Sequence, residues 1–77
     1  MKQVHELHLR AINNSLRRKI LNVLKENNFT IEELAVNTCL DEFTLRWHLS
    51  VLERGLCVEK EDNKGNILYK LPNLEKS

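Results

Sequence analysis

Little in this 77-residue chain bends or staples a backbone: it holds two glycines, one proline and two cysteines. With glycine only at Gly55 and Gly65, no Gly-rich phosphate loop exists, and no Ser-His-Asp layout has a spacing that supports catalysis. A domain of this size scarcely forms an active-site cleft, so an enzyme is not expected, and no cofactor is implied. Cys39 and Cys57 have no CxxC spacing, which excludes the common metal and dithiol motifs; small apolar fillers with reduced thiols are the plain expectation. No apolar run approaches the length of a membrane span, and Met1-Lys2-Gln3 does not begin a signal-peptide pattern. A cytoplasmic protein without membrane partners is expected. Neither sign of charge dominates, with 12 Lys and Arg against 11 Asp and Glu and a net charge of +1. Any nucleic-acid-binding face must therefore come from local segregation of charge.

What is present is ordinary globular material, 42% apolar and rich in Leu, Ile and Val, enough for one core and one domain over 1–77. The most informative stretch is Thr30 to Gly55. Thr30 and Glu33 form a Thr-x-x-Glu capping box, and Ile31, Leu34 and Ala35 share one helical face over 30–38. Thr38-Cys39-Leu40 interrupts the pattern, and Asp41 is a suitable N-cap for a second helix over 41–55. Leu45, Leu49, Leu52 and Leu56 form its buried stripe, leaving Glu42, Phe43, Arg46, Trp47, Ser50 and Arg54 outward or sideways. Two helices joined by so short a turn make a helix-turn-helix, whose second helix commonly enters the DNA major groove.

Before it, residues 1–12 read as an amphipathic helix through Val4, Leu7 and Ala11, with Leu9 and Ile12 filling in. Asn14 or Ser15 caps the next helix, 15–27, carried by Leu16, Ile20, Val23 and Leu24. Its other face holds Arg17, Arg18 and Lys19. That basic run is either a solvated helix face or a phosphate contact, and it opposes the dipole at its own helix N-terminus. After the helix-turn-helix, Cys57–Lys60 and Ile67–Leu71 flank the polar loop Glu61–Asn66, a β-hairpin signal over 57–71. Ile67, Tyr69 and Leu71 fall on one face, Pro72 ends the strand, and the tail Asn73–Ser77 is expected to fray. The fold class expected is α+β, a winged helix-turn-helix of three to four helices followed by a two-stranded β-hairpin wing. Asn63, Lys64 and Asn66 form the wing tip.

The run Ala11-Ile12-Asn13-Asn14-Ser15-Leu16-Arg17-Arg18-Lys19-Ile20-Leu21 resembles the A-L-[AS]-[DN]-P-T-R-x-x-I-L entry of ArsR-type (arsenic-repressor) winged-helix regulators, with Ser15 where Pro is usual. Glu33-Leu34-Ala35, then Thr44-Leu45 and His48-Leu49 with Val51-Leu52-Glu53, are similar to the family's E-L-A and T-V-x-x-H-L-x-x-L. The likeness covers roughly Leu9 to Leu71 and extends more loosely to MarR-type repressors. Cys39 stands where the family commonly has Gly, Gly55 arrives one residue early, and Asp41-Glu42-Phe43 replace small polar residues at the start of the recognition helix. Trp47 takes a place often held by Arg or His.

The resemblance implies a sequence-specific double-stranded DNA binder, a transcriptional regulator acting as a homodimer. Base contacts are expected from Glu42, Phe43, Thr44, Arg46, Trp47 and Ser50, with Arg46 suited to grip guanine and Glu42 either accepting from cytosine or simply capping. Phosphate contacts are expected from Arg17, Arg18, Lys19, Asn63, Lys64 and Asn66; a continuous positive band from Arg17 through Arg46 to Lys64 would favour DNA over a protein-interaction role. Dimerisation would rest on Val4, Leu7, His8 and Ala11. No metal site is expected: His5 and His8 lie three apart on one helix, but two ligands do not make a site, and His48 reads as a hydrogen-bonded edge of the core. The alternative is a winged-helix protein-interaction module, with Phe43 and Trp47 as an exposed aromatic pair instead of one half-buried against the wing or first helix.

Overall fold

The computed structural model of the chain describes residues 2–72, with side chains from Glu6 onward. Val4 and His5 therefore fall where no side chain is described, and the tail Asn73–Ser77 lies outside the described residues. Four helices, α1 (Lys2–Ile12), α2 (Ser15–Leu24), α3 (Ile31–Thr38) and α4 (Glu42–Arg54), precede two antiparallel strands, β1 (Glu59–Asn63) and β2 (Asn66–Lys70). The architecture is the winged helix-turn-helix expected.

Local chemistry sets each boundary. Asn14 caps α2, its Oδ1 accepting from the Leu16 and Arg17 amides at 2.9 and 3.1 Å. That helix ends at Leu24, short of the expected Asn27. The Glu26 amide reaches only Val23 O, a tightened last turn, and Asn27 Oδ1 takes the Asn28 amide at 2.8 Å, diverting the backbone from the helix. The capping box opens α3 in both directions: Thr30 Oγ1 accepts from the Glu33 amide and Glu33 Oε1 from the Thr30 amide. Cys39 ends it in the left-handed region (φ 62°, ψ 26°), so a cysteine adopts the conformation that glycine takes most readily. It is also exposed, not the buried filler expected.

The far end of α4 forms a Schellman motif: the Cys57 amide bonds to Leu52 O at 2.8 Å and the Leu56 amide to Glu53 O at 3.0 Å. Leu56 occupies the left-handed position (φ 61°) and is 55% exposed, so it does not extend the buried leucine stripe as expected. The displaced glycine has another use. A Cβ on Gly55 would lie 2.8 Å from Leu7 O and 3.1 Å from His8 Cα, so only glycine lets α1 and the end of α4 touch backbone to backbone.

Ala11, Ile20, Leu24, Ile31, Leu34, Leu45, Leu49, Leu52, Cys57, Val58 and Tyr69 make one core. Leu16, expected inside, is exposed at the first turn of α2. Thr38 is fully buried, its hydroxyl donating to Leu34 O at 2.6 Å. In the wing, Asn63 pairs with Asn66 and the loop is only Lys64-Gly65, both at positive φ (55° and 88°), the two-residue I′ turn. The loop is thus shorter than the expected Glu61–Asn66, because Glu61, Asp62 and Asn63 stay in β1. Tyr69 turns into the core and pairs with Phe29 through two backbone hydrogen bonds of 3.1 and 2.8 Å, which ties the wing to the start of α3.

Candidate nucleic-acid interface

The i, i+3, i+4 pattern that buries Leu45, His48, Leu49 and Leu52 leaves the opposite side of α4 in solvent. Glu42, Phe43, Arg46 and Trp47 stand there, with Phe43 83% and Trp47 59% exposed, so the aromatic pair is largely in solvent and not half-buried. Arg46 donates through Nε and Nη2 to one oxygen of Glu42, at 3.0 and 2.7 Å. Such exposed i, i+4 pairs hold weakly and can be drawn apart by a stronger partner. The other two groove candidates are half-buried and locally committed. Thr44 donates its hydroxyl to Asp41 at 2.7 Å, and Ser50 donates to Trp47 O at 2.7 Å, leaving only acceptor capacity. Asp41 is held below the usual carboxylate range by the hydroxyl and then the amide of Thr44, so it stays ionised at the mouth of the helix.

Beside this face the wing tip presents Asn63, Lys64 and Asn66, all exposed. Between wing and helices lies an open cleft of about 450 Å³ with Arg46, Lys60 and Glu32 on its walls and Tyr69 among its lining residues.

The basic run divides. Arg17 is half-buried, its Nε donating to Ala11 O at 2.7 Å, Nη2 to Arg10 O at 3.2 Å and Nη1 lying 3.2 Å from His48 Nδ1. It closes the carbonyl end of α1 and braces α4 from within, which removes it from the expected phosphate contacts. Arg18 also reaches Ile12 O at 2.9 Å but remains exposed, as does Lys19. The signal missed in the sequence is the end of α1: unpartnered carbonyls there favour the cations that the start of α2 disfavours. The positive band from Arg17 to Lys64 is interrupted, since Glu32 and Glu42 flank Arg46 and Asp62 lies beside the wing turn.

Of the dimer candidates, Ala11 is fully buried in the chain's own core and offers no surface to a partner. Leu7 is exposed, and Leu9 and Leu16, not singled out from the sequence for this role, are exposed apolar residues of α1 and α2. His8 sits with Nδ1 3.2 Å from Gly55 O and 3.3 Å from Cys57 Sγ, fastening α1 to the end of α4. Burial raises the Cys57 thiol above its ordinary value and keeps it protonated. Among the described residues no three His, Cys, Asp or Glu side chains converge to hold a metal ion. No described helix is long and apolar enough to cross a membrane.

Solved structures share this arrangement. The transcriptional regulator HlyU from Vibrio vulnificus is 28% identical, with a TM-score of 0.79 over 90% of this chain and 72% of its own. The transcriptional repressor BigR from Xylella fastidiosa is 26% identical, with a TM-score of 0.79 over 91% and 71%. The homodimeric winged helix-turn-helix DNA-binding domain of Mb0332 from Mycobacterium bovis, a possible ArsR-family regulator, superposes at a TM-score of 0.84 over 90% and 64%; at 23% identity that likeness is one of fold. No family model and no curated protein matches the sequence. The winged helix-turn-helix read from the motifs is thus met in three dimensions, in structures that include regulators of transcription.

Proposed function

We propose that this winged helix, built like the ArsR-type regulators, is a non-enzymatic, sequence-specific DNA-binding regulator of transcription that works as a homodimer in the cytoplasm. Helix α4 lies in the major groove and the Lys64 turn beside the backbone or minor groove. The carrying observation is that Glu42, Phe43, Arg46 and Trp47 stand uncovered by any other part of the described chain, next to the wing. These four face the bases, with the oxygens of Thr44 and Ser50 as acceptors. Arg18, Lys19 and Lys64, aided by Asn63 and Asn66, take phosphates; Leu7, Leu9 and Leu16 supply apolar surface for a second copy.

Selection of duplexes from a random pool, followed by a salt titration, tests the reading. A preferred sequence emerges, affinity falls with salt, Arg46→Ala weakens that sequence most, and Lys64→Ala weakens all sequences alike. The second reading, a protein-interaction module, is favoured by Asp41 and Glu42 beside the exposed aromatics. Weak, sequence-blind duplex affinity, with loss of a protein pull-down in Phe43→Ala and Trp47→Ala, assigns that role instead.

A further inference from the structure

We infer that the first half of α4 recognises thymine methyl groups, with Phe43 and Trp47 as the residues that add a preference for thymine to the contact made by Arg46; this rests on the DNA-binding reading above. The exposed groups on that half are two aromatic rings and one ion pair closed upon itself, Arg46 on Glu42. The guanidinium must leave Glu42 before it can grip a guanine, whereas the two rings meet a base as they stand. The carboxylates of Asp41 and Glu42 repel phosphates, so this end of the helix is favoured over the groove floor and disfavoured against a strand. On that floor the thymine C5-methyl is the apolar group a protein can meet, since the other features of the base edges are donors and acceptors. A buried methyl is therefore the complement of an aromatic ring that otherwise remains in water.

Spacing adds a register. Phe43 and Trp47 are four residues apart, about 6 Å along a helix. That matches about two base-pair steps at roughly 3.4 Å each. The preferred half-site accordingly carries thymines about two steps apart, on either strand.

The experiment uses the full chain and the duplexes retained from the random pool. Each conserved thymine of the best duplex is replaced singly by deoxyuridine, which removes the methyl and leaves the hydrogen-bonding pattern unchanged. The expected loss is about fourfold in affinity for each methyl contacted, and roughly fifteenfold for two. In Phe43→Ala one of these losses disappears, and in Trp47→Ala the other does. Both rings are exposed, so the variants are expected to fold, and circular dichroism checks that they do. If duplexes are retained but uracil binds as well as thymine, or the loss persists unchanged in both variants, the inference is overturned while DNA binding stands. If no duplex is retained at any salt concentration, the DNA-binding reading fails and carries the inference with it.

Discussion

Arg17 gathers three partners in a small volume, two carbonyls at the end of α1 and the imidazole of His48 in α4. Its truncation to Ala takes this donor from Ala11 O and His48 Nδ1, while Arg10 O keeps the Asn13 amide at 3.3 Å, and a loss of roughly 1.5–3 kcal/mol of stability is expected in urea unfolding. Lys at this position recovers only part of it, because one ammonium cannot replace a planar fork with donors in three directions. Arginine donates and never accepts, so Nδ1 of His48 is the acceptor and the ring is neutral. Burial, and then the Arg17 charge, hold the His48 pKa below its ordinary value of 6.5. The unfolded chain therefore binds the extra proton first as pH falls. The stability that the neutral ring confers is complete above the unfolded value and is lost as pH drops through the lower folded value. Urea midpoints measured against pH are expected to decline in that window, and His48→Gln removes this component of the slope. The sequence disclosed His48 as a core-edge group but hid its partner, because Arg17 is 31 residues away and looks like any exposed base in a basic run.

A chain with two glycines must turn corners with other residues. Cys39, Leu56 and Lys64 all take positive φ, at the end of α3, the end of α4 and the wing turn. Leu56→Gly is expected to raise stability by about 0.5–1 kcal/mol in thermal or urea unfolding, since the exposed side chain contributes little packing to offset the left-handed strain. Lys64→Asn separates fold from function: Asn suits the first position of a type I′ turn, so the hairpin gains stability while duplex affinity falls at low salt. Gly55→Ala acts oppositely, forcing α1 off α4, with an expected loss of roughly 1–3 kcal/mol. Much of this level was legible beforehand. Thr30 with Glu33, Asp41 as a cap, the leucine spacing in α4 and a hairpin with Asn63, Lys64 and Asn66 at its tip are local signals, and local signals set element type; the tight two-residue turn within the expected loop was not read. The role of Gly55 was not legible, because a close approach between helices has no signature in neighbouring residues.

Taken whole, the molecule keeps its charges sorted by segment. Arg10, Arg17, Arg18 and Lys19 lie on α1 and α2, whereas Glu32, Glu33, Asp41 and Glu42 crowd the helix-turn-helix; the wing balances Glu59, Glu61 and Asp62 with Lys60, Lys64 and Lys70. With Arg17 engaged internally, Arg18, Lys19 and Lys64 remain as the proposed phosphate ligands in each copy of the proposed dimer. The logarithm of duplex affinity is therefore expected to fall against log salt with a slope of only about −3 per copy, measurable by fluorescence anisotropy. A much steeper slope would mean that Arg46 leaves Glu42 for a phosphate. Net charge alone concealed this sorting, since the opposing segments cancel. The meeting of α1 with Gly55 has one more outcome. In the proposed pair, the helix that seats the second copy is also the strut on which the reading helix rests, with no side chain between them to act as a cushion. The two reading heads are then held at a set separation, and one base pair inserted between the operator's halves harms binding more than a base change within either half.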